Sequence, residues 1–245
     1  MSALALHARL TPGHDERIAH AVAMLQSADA EHRGSIVLAT SLGVEDMVLA
    51  DMVSRHRLDI AVATLETGML HAETLALMAT LESRYGIALE VHRPSQDAVI
   101  AFVGRHGAWP MFESVALRKR CCAIRKLEPL ERLLDGRQAW ITGLRRGQST
   151  ERAEVAFREV DGNGRIKLSP LADWSLADVW HYVATHAVAY NPLHDRFYPS
   201  IGCAPCTRAV ALGEEVRAGR WWWEIESAKE CGLHAPVHGL EGSPA

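Results

Sequence analysis

The sequence predicts an α/β fold: a mostly parallel sheet with helices on both faces. Apolar runs of strand length alternate with amphipathic stretches of helical period as far as about residue 190. Glycines and hydroxyl residues punctuate the alternation where helices should start and stop. The chain of 245 residues, 48% hydrophobic and 23% charged, suffices for one large domain.

Each element follows from its pattern. "SIVLATSL" (35–42) reads as a buried strand, and "VEDMVLADMVSRH" after it has helical periodicity. "DIAVATLET" (59–67) is a second strand, followed by the helix "HAETLALMATLESRYG" closed by Gly86. "IALEVHRP" (87–94) is a third, and the helix after it has Ser95 as N-cap and Gly107 at its far end. "AIRKLEPLERLLDG" is helical, "AWITGLRR" (139–146) strand-like, and "IKLSPLAD" and "SLADVWHYVATH" continue the alternation. From Pro192 the rhythm stops, and "NPLHDRFYPSIGCAPCTRAV" predicts irregular structure laid over the ligand edge of the sheet. Residues 1–225 are expected to form the single domain, with 226–245 as a mobile appended segment.

A net charge of −4 makes no chain-wide case for nucleic-acid binding. No run is long and apolar enough for a membrane span, and the opening stretch lacks the pattern of a secretory leader. The expectation is a cytoplasmic protein whose five cysteines stay reduced.

In parallel sheets ligands bind at the carboxyl ends of strands. The first strand runs into Thr40, Ser41 and Gly43 before a helix, which suits an anion cradle. The second ends at Thr67 and Gly68, and the fourth in "TGLRRGQST", with Arg145 and Arg146. Arginine forks grip oxyanions bidentately, so three strand ends together predict a nucleotide-sized anionic ligand.

Cys121 and Cys122 are adjacent, Cys203 and Cys206 form a C-x-x-C, and Cys231 stands alone. Four thiols in two close pairs match a zinc site or an iron–sulfur cluster. Neighbouring side chains diverge on a helix, which leans the reading toward a cluster, where two thiolates can reach different irons. "RKRCCAIRK" places five cations around the first pair, where they would offset cluster charge or hold an anionic substrate.

With "KRCCAIRKLEPL", "TGLRRGQS", "IGCAPCTR", "GRWWWE" and "KECGLH" in order, residues from about 30 to 235 resemble the bacterial assimilatory sulfonucleotide reductases. The double-Cys and C-x-x-C pairs are similar to those of the iron–sulfur adenosine 5′-phosphosulfate (APS) branch. The resemblance implies a Rossmann-like fold of the adenine-nucleotide α-hydrolase type. It also implies a [4Fe–4S] cluster and thioredoxin-dependent reduction of APS to sulfite and AMP in sulfate assimilation and cysteine biosynthesis. By the same resemblance Cys121, Cys122, Cys203 and Cys206 match cluster ligands, and Lys126 lies between cluster and substrate. Arg145, Arg217 and Arg220 match sulfate and phosphate contacts. Cys231 matches the nucleophile, with His234 beside it, and Ser41, Thr67 and Gly68 lie where the nucleotide is held. Met69, Ala72 and Glu66 depart from the family pattern, and "TSLGVED" lacks the S-G-G-x-D-S loop of ATP-cleaving relatives.

These expectations assign Cys231 a chemical role. Its thiolate attacks the phosphosulfate sulfur, AMP leaves, and thioredoxin thiols release sulfite from the resulting S-sulfonate. Arg217, Arg220 and His234 favour the thiolate, whereas Glu230 opposes it. The tail must open and close between partners, with the triple tryptophan at 221–223 as an anchor on its near side. Competing readings are the same chemistry on the 3′-phosphorylated substrate (PAPS), a tRNA-thiolating ATP pyrophosphatase, and a zinc-stapled nucleotide sensor. The sequence leaves room for a homo-oligomer.

Overall fold

The computed structural model describes residues 2–224. Its alternating stretches fold as β1 (Ile36–Thr40), α3 (Val44–Arg55), β2 (Ala61–Leu65), α4 (Ala72–Tyr85), β3 (Leu89–His92) and α5 (Gln96–His106). Before them come α1 (Ala3–His7) and α2 (His14–Glu31), which the strand–helix pattern did not predict. After them come α6 (Val115–Cys122), α7 (Glu128–Leu134), β4 (Ala139–Ile141), β5 (Arg158–Val160), β6 (Ile166–Leu168) and α8 (Leu176–His186). Beyond α8 the chain is irregular, as expected.

The sheet order is β3-β2-β1-β4-β6-β5, parallel throughout except for the antiparallel β5–β6 edge. Chain order reverses at β1, whose neighbours are β2 and β4, so a crevice opens at the carboxyl ends of these strands. Alternation along β1 decides which core each side chain enters. Ile36 and Leu38 pack with α2, α3, α4 and α8, and Val37 packs with Leu130, Leu133 and Leu134 of α7. Helices therefore cover both faces, as predicted.

One departure changes how the cysteines are presented. The helix expected to begin at residue 123 begins at Val115, so Cys121 and Cys122 end α6 instead of preceding a helix. A π-helical turn at Ala123–Leu127 joins α6 to α7. Such a turn inserts an extra residue and re-aims the side chains that follow, here Arg125 and Lys126.

The start of α2 is held by a buried carboxylate. Asp178 caps α8 by accepting from Ser175 N and Oγ, both at 2.7 Å. It also accepts from Thr11 Oγ1, lies 3.1 Å from His14 Nδ1 and pairs with Arg17 at 2.8 Å. Burial alone would raise its pKa, but these donors hold it well below the usual carboxylate range. No helix among the described residues is long and apolar enough to cross a membrane.

Asp178→Ala leaves those donors without their acceptor. It should lower unfolding free energy by about 2–4 kcal/mol, read as a fall in midpoint in urea titration.

Candidate functional site

The crevice holds a cavity of about 240 Å³, walled by the ends of β1, β2 and β4 and by the irregular segment after α8. Its apolar side is Ala39, Ala63, Leu65, Leu130, Leu133 and Trp140. Its charged side is Lys126, Arg145, Arg152, Arg217 and Arg220, with Glu45 and Asp46. An apolar slot leading to a cluster of cations suits an aromatic base joined to an anionic group.

Of the strand-end residues singled out from sequence, Thr40, Ser41, Gly43, Thr67 and Arg145 line this cavity, several already engaged, whereas Arg146 turns away, its Nε donating to Val155 O at 2.9 Å and its guanidinium lying 5.1 Å from the Phe157 ring. Thr40, Ser41 and Gly43 line the cavity. Thr40 Oγ1 accepts from Leu42 N at 2.9 Å, which supports Leu42 in a left-handed conformation with φ of 60°. Ser41 N and Oγ both donate to Asp46 Oδ2, at 2.6 and 2.7 Å. Asp46 Oδ1 accepts from Gly143 N at 3.0 Å, tying the loop after β1 to the loop after β4. Gly143 must be glycine, because an added Cβ would lie 2.3 Å from Asp46 Oδ1 and 3.1 Å from Asp46 N. Burial pushes the Asp46 carboxyl up to about 6, against the pull of its hydrogen bonds.

Arg145 lines the cavity, and its guanidinium is held by this chain's own groups. Its Nε and one terminal nitrogen donate to Glu45 Oε1 at 3.0 and 2.8 Å, and the other terminal nitrogen to Trp174 O at 3.1 Å. Gln148 adds a donor to Glu45 Oε1 at 3.1 Å. Burial opposes the charge on Glu45, yet Arg145 and Gln148 together hold its pKa below the ordinary value. Arg145 therefore stiffens the wall through Glu45, in addition to the oxyanion contact expected of it. Sequence reasoning passed over Glu45, Asp46 and Gln148. An acid pair in a first helical turn reads as a complement to the helix dipole, which hid the one useful signal.

The four paired cysteines are brought together. Cys121, Cys122, Cys203 and Cys206 are buried and line one small second cavity with Arg118, Arg125, Lys126, Arg220 and Trp221. The C-x-x-C loop is fastened to the end of β2: Ala204 N donates to Met69 O at 2.7 Å, and Thr67 Oγ1 lies 3.4 Å from Cys203 Sγ. Arg125 crosses between the two segments and donates to Thr67 O at 2.7 Å. Thr67 also lines the nucleotide-sized cavity, and Gly68 follows it in the same turn, its N donating to Glu66 Oε1 at 2.6 Å. Burial raises the thiol of Cys121, and it pushes Cys206 up to about 12 with help from neighbouring Cys203. Among the described residues, no three His, Cys, Asp or Glu side chains are close enough together to form a metal-binding group.

Of the five cations expected around the first pair, Arg118, Arg125 and Lys126 reach the thiol cavity, whereas Lys119 and Arg120 are exposed. Arg118, fully buried, is matched by Glu224 through two 2.8 Å bonds and lies 4.5 Å from the Trp221 ring. Arg220 packs 4.7 Å from the same ring and across Gly202, where an added Cβ would meet the guanidinium at 2.4 Å. Lys126, Arg220 and Trp221 line both cavities and form a shared wall. Cys231 and His234 lie outside the described residues, as does the segment 226–245.

A crevice at the strand-order reversal, backed by a buried quartet of thiols, gives this α/β fold two adjoining centres, one walled by cations and apolar side chains and one lined with sulfur. The chain belongs to the phosphoadenosine phosphosulfate reductase domain family, whose model matches residues 35–209. An adenosine 5′-phosphosulfate reductase of Allochromatium vinosum is 55% identical over 201 residues, covering 82% of this chain and 78% of that protein. One from Burkholderia cepacia is 48% identical over 226 residues, covering 92% and 90%. Among solved structures, phosphoadenylyl-sulfate reductase from Candida auris superposes with a TM-score of 0.65 at 23% identity, covering 83% of this chain and all of that one. FMN adenylyltransferase of Candida glabrata shares the fold at a TM-score of 0.54 and 13% identity, over 89% of this chain and 75% of that one. The expected Rossmann-like fold of nucleotide-handling enzymes is therefore the observed one.

The carboxyl of Asp46 titrates higher in the folded chain than the unfolded value of ~3.9. The folded state then binds the extra proton between these values, so this group adds stability as pH falls from above 6 toward 4. Asp46→Asn should flatten that part of the stability curve, checked by thermal melts of both proteins from pH 4 to 7.

Proposed function

We propose that this chain reduces adenosine 5′-phosphosulfate to sulfite and AMP, with electrons from a thioredoxin-class dithiol and a Cys231 S-sulfonate as intermediate. The observation that carries the reading is the wall of Lys126, Arg220 and Trp221 shared by the nucleotide-sized cavity and the thiol cavity. The relatives named adenosine 5′-phosphosulfate reductase, similar over most of the chain, support the choice of substrate over its 3′-phosphorylated form. Sulfate assimilation and cysteine biosynthesis in the cytoplasm are the setting this reaction implies.

The adenine lies in the apolar slot, and the phosphosulfate faces Lys126, Arg217 and Arg220. The Cys231 thiolate attacks the sulfur. A new S–S bond forms, the bond from sulfur to the bridging oxygen breaks, and AMP leaves with its electron pair. Negative charge grows on the sulfonate and bridging oxygens, and the three cations are suited to stabilise it. A donor thiolate then bonds to Cys231 Sγ, sulfite departs, and the second donor thiol resolves the mixed disulfide. His234, beside Cys231 in the same motif, belongs to this machinery.

The donor set around the second cavity fits an iron–sulfur cluster. Four cysteine thiols line one cavity, the number and type of donor such a cluster takes, and Arg125, Lys126 and Arg220 line it too, where they would offset thiolate charge. Cys121, Cys122, Cys203 and Cys206 would hold a [4Fe–4S] cluster, which supplies a compact anionic centre against the shared wall. Both electrons for sulfite come from the donor dithiol, so the residues around that centre act by placement and charge.

Cys231→Ser should abolish the S-sulfonate mass shift after exposure to APS, while iron and sulfide content and APS binding stay at wild-type levels. Near-normal turnover by this variant would overturn the mechanism. Cys203→Ser should lose iron and visible absorbance together.

A further inference from the structure

The turn that carries Met111 and the turn that carries Trp221 each present one side chain inward and the next one outward. Met111 is 1% exposed and lines the thiol cavity, whereas Phe112 is 44% exposed. Trp221 is 1% exposed against the same cavity, whereas Trp222 is 40% exposed. The outward rings meet: Phe112 stands edge-on to Trp223 at 4.5 Å and 6.3 Å from Trp222, and Trp222 is edge-on to Trp223 at 4.7 Å. Trp109, at the start of the Phe112 turn, is 57% exposed. Packing of the thiol cavity accounts for the inward residues and leaves the outward ones unexplained.

We propose that the exposed rings of Phe112, Trp222 and Trp109 form the docking surface for the dithiol protein that releases sulfite, a proposal that rests on the reading of Cys231 above. Clustered aromatic side chains on a soluble protein mark interaction sites, and tryptophan is enriched among residues that dominate binding. The choice of occupant follows from chain length. Cys231 lies seven residues past Glu224, the last described residue of the tryptophan turn. Seven residues span at most about 24 Å, so the thiol that reaches the Cys231 sulfur comes within that distance of this turn, a span that the body of a small dithiol protein can bridge. Redox encounters are transient and bury less than about 1,200 Å², a size that a few rings at the centre can serve.

The step served is the thiol exchange. The donor's first thiolate bonds to Cys231 Sγ, the S–S bond to the sulfonate breaks, and sulfite leaves with the electron pair. The donor's second thiol then forms its own disulfide and returns Cys231 as a thiolate. The surface acts only on delivery of the protein donor, so it is separable from chemistry with a small thiol.

Anaerobically purified holoenzyme carrying Trp222→Ser, Phe112→Ser or both tests this. The KM for thioredoxin should rise roughly tenfold or more. S-sulfonate formation with APS, and sulfite release by dithiothreitol, should stay within twofold of wild type, and Trp222→Phe should restore the thioredoxin KM. An unchanged KM for thioredoxin overturns the proposal, as does a parallel fall in thioredoxin- and dithiothreitol-driven release. A drop in solution mass by light scattering with unchanged KM would make the patch an interface between copies instead. If wild-type enzyme forms no S-sulfonate, the Cys231 mechanism itself fails, a result distinct from loss of donor recognition.

Discussion

The site depends on one buried carboxylate bridging two strand ends that are distant in sequence. Asp46 accepts from Ser41 on the β1 side and Gly143 on the β4 side. Without that tie, each loop would have to satisfy its own amides in the crevice, where unpaired polar groups are costly. The tie is possible only because Gly143 lacks a side chain, and it is expensive because the carboxylate is desolvated. Glu45, the preceding residue, repeats the device by pairing with Arg145 across the same gap. Two adjacent acids at the start of α3 thus define the width of the cavity before any ligand enters it.

The thiol cavity is built on the opposite principle. Where the crevice is closed by acids accepting hydrogen bonds, the cysteines are surrounded by guanidinium and ammonium groups. Arg118 is neutralised by Glu224 and so contributes packing and orientation more than net charge. Arg125 gives one donor to Thr67 O and so fastens the end of β2 to the helix that carries Cys121 and Cys122. Positive charge facing the thiols is then carried by Arg125, Lys126 and Arg220, of which Lys126 and Arg220 also face the nucleotide-sized cavity.

The strands and central helices were legible because apolar period and caps agree there, as at Ser95, whose side chain caps α5. The strand ends were legible because the sheet rule says where to look, and Thr40, Ser41, Gly43, Thr67 and Arg145 all border the cavity. What stayed hidden was pairing across the fold. Nothing in "VED" says that its acids reach "TGLRRGQ" almost a hundred residues away, since the contact exists only once β1 and β4 are neighbours. The two N-terminal helices escaped for a related reason. For α2 the polar fastening of Thr11, His14 and Arg17 on Asp178 joins residues about 160 apart, although its apolar stripe of Ile18, Ala21, Val22, Leu25 and Ala28 was there to be read. The short β5 was invisible because its three residues are all exposed at the sheet edge.

The shared wall also decides how the two cavities meet. Trp221 sits at φ of 43°, a conformation a bulky side chain adopts only when its surroundings impose it. Those surroundings are Arg118 and Arg220 packed against its ring, at 4.5 and 4.7 Å, and its N–H donating to Cys206 O at 3.2 Å. One residue is therefore held by the helix of the first cysteine pair, by the loop of the second pair, and by an arginine that borders the ligand cavity. The two cavities thus meet without any part of the sheet between them, because Lys126, Arg220 and Trp221 are surfaces of both.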